Sequence, residues 1–164
     1  VVAFDPVGGS LITRWVAGRL LADLAPPATR IVDHLRDLHD RLAAVRAAAA
    51  GALERRYDPL AQARRFLEVA PAPGWIRDAA AGLDWAPQQP VLCHNDLNPW
   101  NLIEDDGRVW ITLDWEWLGL NDPLFDLVAL HQGLGLEGAV LPELAATLLG
   151  GAADPARLRD CLLV

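Results

Sequence analysis

Cys93-His-Asn-Asp-Leu-Asn-Pro-Trp-Asn-Leu-Ile103 is the stretch from which the fold of this 164-residue chain can be predicted. A short apolar run precedes its polar centre and another follows it, and Pro99 forbids a regular helix through the middle. We therefore expect a loop between two strands. An aspartate held on a rigid loop can accept a proton, so Asp96 is a candidate general base. An amide a few residues later, here Asn101, can ligate a hard cation.

A second acidic cluster, Leu113-Asp-Trp-Glu-Trp117, closes the next apolar run. Asp105-Asp106-Gly107 lies between the two runs and is a strong hairpin turn signal. A hairpin folded about Asp106-Gly107 would bring Asn101 nearly opposite Asp114, with Cβ atoms roughly 4.5–5.5 Å apart. Two oxygen ligands from adjacent strands suit Mg²⁺ that is shared with phosphate oxygens. The spacing therefore predicts Asn101 and Asp114 as metal ligands.

The pattern His94-x-Asp96-x-x-x-x-Asn101, followed by Asp114, resembles the catalytic loop and metal-binding aspartate of protein-kinase-like phosphotransferases. With Leu-Asn-Asp-Pro-Leu-Phe-Asp-Leu at 120–127, the text over residues 91–130 is similar to the aminoglycoside phosphotransferase and choline/thiamine kinase family. The resemblance implies an α+β protein-kinase-like C-terminal lobe, mainly helical with short β-hairpins, and with most of the N-terminal lobe absent. Residues 1–18 would be the remnant of the N-terminal-lobe strands and hinge. Residues 19–164 would be the helical C-terminal lobe with the catalytic loop.

The same resemblance implies roles for single residues. Asp96 would be the catalytic base, and Mg²⁺ would be bound by the two predicted ligands. Arg14 and Val16, at the end of the hinge, would meet the adenine of ATP through backbone groups. His94 and Asp126 would support the loop structurally rather than move protons.

Glu116 and Trp117 occupy positions that border the acceptor site in choline-kinase-like relatives. An aromatic face beside a carboxylate binds a protonated or quaternary amine, with a cation–π contribution of roughly 0.5–2 kcal/mol. The resemblance therefore implies a small cationic acceptor that is choline-, thiamine- or aminoglycoside-like. The alternative for the four tryptophans of this region is that they are core residues.

Composition narrows the class of protein further. The net charge of −8 argues against nucleic acid as a partner. No apolar run approaches 18 residues, so we expect no membrane-spanning helix. Two cysteines that lie far apart in the sequence indicate a reduced, cytoplasmic protein. The first residue is Val1 rather than an initiator methionine, so we expect the chain to begin as an interior segment would. Nothing in the sequence indicates an oligomeric state.

The region from position 94 to 126 is strongly acidic, with eight acidic residues and one basic residue, Arg108. The negative electrostatic field of such a region favours binding of Mg²⁺ and of a cationic co-substrate. The acidic residues are Asp96, Glu104, Asp105, Asp106, Asp114, Glu116, Asp122 and Asp126.

All fourteen basic residues are arginine, and the sequence contains no lysine. Kinases of this fold use a lysine of the N-terminal lobe to hold nucleotide phosphates, and no Gly-rich phosphate loop occurs here either. Three hypotheses therefore stay open. In the first, the chain is an ATP/Mg²⁺-dependent phosphotransferase, whether or not it is active as an isolated fragment. In the second, it is a non-catalytic kinase-lobe remnant that acts as a binding module. In the third, it is a Mg²⁺-dependent phosphohydrolase.

Hydrophobic periodicity predicts most of the remaining structure as helix. His34 and His39 lie five positions apart on the first predicted helix, do not share a face, and are predicted to be packing or capping residues. Strands are predicted near 1–4, 11–16 and 91–92. The predicted helices are 29–50, 52–70, 74–82, one that begins at Asp122-Pro123, 138–149 and 155–163.

Overall fold

The structure, a computed structural model, describes residues 3–5 and 7–163 of the chain. The described residues form six α-helices: α1 Ala28–Ala48, α2 Pro59–Val69, α3 Gly74–Gly82, α4 Pro123–Gly133, α5 Leu141–Leu149 and α6 Pro155–Leu163. They also form seven short strands: β1 Ala3–Asp5, β2 Ser10–Ile12, β3 Arg19–Leu20, β4 Val91–Cys93, β5 Leu102–Glu104, β6 Trp110–Thr112 and β7 Gly119–Asn121. The α+β class, mainly helical with short hairpins, is therefore confirmed.

Helix α4 is the centre of the core. Apolar side chains on nearly all of its faces are buried, since α1, α5, α6 and β4 all pack against it. Helix α1 contributes one apolar stripe, which includes Ile31, Leu35 and Leu38, and exposes its opposite face. No helix within residues 3–5 and 7–163 is long and apolar enough to cross a membrane.

The seven strands pair in three small antiparallel sheets. Strands β1 and β2 pair with each other, β4 pairs with β7, and β3-β5-β6 form the third sheet in that order. The loop that contains Asp96 leaves β4 and enters β5, as predicted. Each sheet is short, and together they fix both ends of this loop on the helical core.

The register of the β5–β6 hairpin differs from the prediction by one residue. Leu102 pairs with Thr112, and the Leu113 N–H donates to the Asn101 carbonyl at 2.8 Å, so Leu113 rather than Asp114 stands opposite Asn101. The reason is the turn. Arg108, and not Gly107, takes the left-handed conformation, with a φ of 59°, and the Arg108 N–H donates to the Asp105 carbonyl. A type I turn followed by a left-handed residue makes a three-residue loop.

Helix boundaries follow the predicted caps closely, with one exception. Asp122 accepts from the Leu124 N–H and Pro123 begins α4, as predicted. The helix predicted over 52–70 is wrong for residues 52–58. Asp58 caps α2 by accepting from the Ala61 N–H, and the preceding segment instead pairs its backbone with Leu120.

The second N-terminal strand is shorter than predicted. Strands β1 and β2 span three residues each and pair Ala3 with Ile12, whereas Val1 and Val2 of the predicted first strand lie outside the described residues. Gly18 follows with a φ of 152°, and a Cβ atom there would collide with the Glu104 carbonyl of β5. Glycine therefore allows the chain to approach β5 closely just before β3 pairs with it.

Candidate active site

The start of the loop between β4 and β5 is held by Asp126, on the first turn of α4. Its buried carboxylate accepts from the backbone N–H groups of His94, at 3.0 Å, and Asn95, at 2.9 Å. The Nε2 atom of His39, from α1, lies 3.2 Å from the same carboxylate. Two helices therefore fix the backbone of the two residues that precede Asp96.

His94 braces the loop against the end of the hairpin. Its ring is fully buried, and Nε2 lies 2.7 Å from the Leu113 carbonyl. The backbone N–H of Asp96 donates to Nδ1 at 3.2 Å, so Nε2 carries the proton of a neutral imidazole. Both ring nitrogens are thus engaged by the backbone, which fits a supporting role and leaves no nitrogen to shuttle protons.

Asp96 is half-buried and held in one orientation by two amides. Its Oδ1 accepts from Asn98 Nδ2 at 3.0 Å, and its Oδ2 accepts from Asn101 Nδ2 at 2.9 Å. Asn101 Nδ2 also donates to the Asp96 carbonyl at 2.9 Å. A carboxylate oxygen has more than one acceptor position, so Asp96 can still accept a hydrogen bond from a hydroxyl.

Asn101 and Asp114 have the chemistry of a hard-cation site. Because Asn101 Nδ2 faces Asp96, the Oδ1 atom of the same amide faces away from that carboxylate. Asp114 is exposed, has a φ of 59°, and follows the residue that pairs with Asn101. An amide oxygen and a carboxylate are ligands that Mg²⁺ accepts, so these two residues fit the ion.

Trp117 borders the loop together with a residue that the sequence analysis missed. Tyr57, the single tyrosine of the chain, lies edge-on to the Trp117 ring with a centroid distance of 5.9 Å. Burial, with the nearby Asp96 carboxylate, raises the pKa of Tyr57. Glu116 is exposed beside them. Tyr57 was missed because residues 52–70, punctuated at Asp58-Pro59, were predicted to be helical, and the segment before Asp58 is not.

Arg14 and Val16 lie on the segment between β2 and β3, outside any strand or helix. Arg14 is exposed and Val16 is half-buried. The segment ends in β3, which pairs with β5 through Leu20 and Ile103. The two residues therefore belong to the segment that leads directly to the strand after Asn101.

A cluster of His39, Cys93 and Asp126 lies beneath the loop, with its potential ligand atoms within 4.8 Å of one another. Burial, reinforced by the Asp126 and Asp122 carboxylates, raises the pKa of the Cys93 thiol well above its usual value. A protonated thiol is a poor metal ligand, and this thiol donates to backbone carbonyls that include Asn121. The cluster is accordingly a hydrogen-bonded support of the loop.

Comparison with known structures places this arrangement in a recognised class. A choline/ethanolamine kinase family protein from Mesorhizobium loti superimposes with a TM-score of 0.68 at 25% identity, covering 99% of this chain and 58% of that chain. The choline kinase LicA from Streptococcus pneumoniae has the same fold, with a TM-score of 0.54, 19% identity and coverage of 84% and 53%. The chain therefore spans little more than half the length of these two proteins.

Sequence comparison agrees with the structural one. Protein LicA of Haemophilus influenzae is 46% identical over 57 residues, which are 35% of this chain and 19% of that protein. The model of the phosphotransferase enzyme family, APH, matches residues 8–161. This chain is thus a member of the phosphotransferase enzyme family.

Proposed function

We propose that this protein takes part in transfer of the γ-phosphoryl group of ATP to a hydroxyl of a small cationic acceptor, preferably a choline- or thiamine-type alcohol over an aminoglycoside. The observation that carries the proposal is the half-buried Asp96, fixed by Asn98 and Asn101 beside the Tyr57–Trp117 aromatic pair. Similarity to the choline/ethanolamine kinase family protein from Mesorhizobium loti supports this choice of acceptor class.

In this mechanism Asp96 accepts the hydrogen bond of the acceptor hydroxyl and then its proton as the oxygen attacks the γ-phosphorus, while the bond to the β,γ-bridging oxygen breaks and ADP leaves. Asn98 and Asn101 fix the orientation of the Asp96 carboxylate, and the remaining lone pairs of its oxygens stay available to the acceptor hydroxyl. Asn101 and Asp114 would hold Mg²⁺, which when bound neutralises charge on the phosphates. Backbone groups of Arg14 and Val16 would meet the adenine.

The acceptor cation would lie against Trp117 and Tyr57, with the Glu116 carboxylate at the rim. Cation–π attraction to these faces and Coulomb attraction to the acidic segment act in the same direction. The pKa of Tyr57 is raised by burial and, to a smaller extent, by the Asp96 carboxylate, which is consistent with an acceptor site between this aromatic pair and the base.

The division at residues 18 and 19 remains part of the proposal. Residues 1–18 would be the end of the N-terminal lobe, because β1 and β2 pair only with each other among the described strands. Residues 19–164 would be the C-terminal lobe, because β3 begins at Arg19 and pairs with β5. A cytoplasmic, reducing setting is proposed as well, since Cys93 and Cys161 are free and buried thiols.

Substitution of the base tests the proposal. Asp96→Ala should lower phosphate transfer from ATP to choline by about 10²–10⁴-fold, the usual contribution of a general base. The thermal unfolding midpoint should change little, because Asp96 is only half-buried. Asp106→Ala is the matched control, since Asp106 is an exposed acid at the hairpin turn. Full transfer by the Asp96 variant would refute the assignment.

A non-catalytic binding module is the second candidate that the sequence leaves open. A thermal-shift titration separates the two. Stabilisation that needs both ATP and Mg²⁺ supports the phosphotransferase, whereas no stabilisation supports the binding module. Release of phosphate from ATP without any acceptor would instead favour the phosphohydrolase.

A further inference from the structure

Asn95, between the brace His94 and the base Asp96, is buried and has a φ of 67°. Glycine adopts this left-handed conformation at lower cost, and asparagine is among the few other residues that tolerate it. The backbone alone therefore does not explain why an asparagine stands here. Its side chain has partners of its own.

The Asn95 carboxamide joins the loop to the chain segment 117–121. Its Nδ2 atom donates to the Trp117 carbonyl at 2.8 Å and to the Gly119 carbonyl at 3.1 Å. It also lies 3.1 Å from the Cys93 carbonyl, and its Oδ1 atom accepts from Asn121 Nδ2 at 2.8 Å. All of the polar atoms of this side chain are thus directed at strands β4 and β7 and at Trp117, two positions before β7.

This side chain continues a sheet that the backbone leaves. The last pair of the β4–β7 ladder is Cys93 with Gly119, so the same register would set Asn95 opposite Trp117. A left-handed residue cannot continue an antiparallel ladder, and the Asn95 N–H donates to Asp126 instead. The side-chain amide of Asn95 donates to the Trp117 carbonyl in place of the backbone N–H. This hydrogen bond extends the pairing of the two segments by one position beyond the last backbone pair.

We propose that Asn95 is a positioning residue that sets acceptor affinity, because it fixes the Trp117 segment relative to the adjacent Asp96. The proposal rests on the function proposed above, in which Trp117 borders the acceptor and Asp96 is the base. Without the carboxamide, both residues stay in the chain, but nothing at this position ties the backbone of 117–119 to the loop. The aromatic side of the acceptor site, formed by Trp117, would then move relative to Asp96.

Asn95→Gly is the variant that removes the side chain and keeps the backbone conformation. Gln89→Gly is its matched control, since Gln89 is an exposed residue with a φ of 49°, and glycine relieves the same kind of strain there. Asn121→Ala is a second variant. It removes the donor to Asn95 without burying a charge, although the Trp85 Nε1–H also loses its acceptor, so it tests the network even if Asn95→Gly folds poorly.

Two measurements on the 164-residue chain test the proposal: choline and ATP·Mg²⁺ affinities by calorimetry, and amide hydrogen exchange. In Asn95→Gly we expect choline to bind about tenfold more weakly and amides 117–119 to exchange at least about tenfold faster, as loss of one or two hydrogen bonds implies. ATP·Mg²⁺ affinity should stay within about twofold, Asn121→Ala should show smaller shifts in the same direction, and Gln89→Gly should show none.

The outcomes separate this inference from the function on which it rests. Unchanged exchange at 117–119 in folded Asn95→Gly would overturn the inference, and so would an equal loss of choline and ATP·Mg²⁺ affinity, which indicates a general structural role. If the wild type binds no choline but the exchange result is as expected, the acceptor proposed above is wrong and the tie between the loop and the Trp117 segment is supported.

Discussion

At the scale of single residues, His34 shows what burial does to a titratable group. It lies on α1 against the Trp110 ring, and its Nε2 atom has no hydrogen-bond partner among the described residues. Burial is the main cause that lowers the pKa of His34 to about 4, with Arg41, His39 and Arg30 acting in the same direction and Asp37 against it. The folded protein therefore holds this imidazole neutral at pH values where the unfolded chain protonates it.

His34→Leu should flatten the pH dependence of stability. Because the folded pKa lies below the ordinary 6.5, the contribution of His34 is complete above pH 6.5 and is lost as the pH falls towards about 4. The gap corresponds to roughly 3 kcal/mol. Urea unfolding at pH 7 and pH 4.5 measures it, since wild type should lose more free energy of unfolding than the variant. Equal losses in both proteins would contradict the prediction.

Local spacing could not show what the two histidines of α1 contact. Both were predicted to be packing or capping residues, and for His34 the ring does pack, on Trp110. His39 bonds to Asp126, which lies 87 positions further along the chain. A contact at that separation depends on how α1 crosses α4, and helical periodicity describes each helix only by itself.

At the scale of elements, the β5–β6 hairpin sets the position of Asp114 relative to Asn101. The two strands and their turn were predicted from the apolar runs and from Asp105-Asp106-Gly107. The register was not predicted correctly, because it depends on which residue of the turn adopts the left-handed conformation. The sequence favoured the glycine, whereas Arg108 takes that conformation. Strands β3 and β7 were not predicted, since runs of two and three residues carry no readable alternation.

Arg108→Gly should therefore stabilise the protein by about 0.5–1 kcal/mol, because relief of the left-handed strain exceeds the added entropy of the unfolded chain. Arg108→Ala is the control, since it removes the exposed side chain and keeps the strain. The Arg108 carbonyl still accepts from Arg30 in both variants. Urea midpoints compare the three proteins, and equal stability of the two variants would show that the backbone is not the cause.

At the scale of the whole molecule, the N-terminal end of α4 connects the loop to the rest of the fold. Asp126 holds the backbone before Asp96, and Asp122, one turn earlier, caps the helix. Asp122 is also bound in a bidentate manner by Arg157 of α6, with distances of 2.6 Å and 2.8 Å. Arg157 further donates to the Gln88 carbonyl, just ahead of β4. Helix α6 thus stabilises the helix that supports the loop.

Arg157→Leu should lower the free energy of unfolding by about 2–4 kcal/mol, because it leaves the Asp122 carboxylate buried with its charge uncompensated. Arg159→Leu, on the same helix, should cost less than about 0.5 kcal/mol, since its pair with Asp160 is largely exposed. Adding Asp122→Asn to Arg157→Leu should recover much of the loss, because the buried charge is then gone while the cap oxygen remains. Urea unfolding of the four proteins provides the test. If the double variant were less stable than Arg157→Leu, the ion pair would not be the cause of the loss.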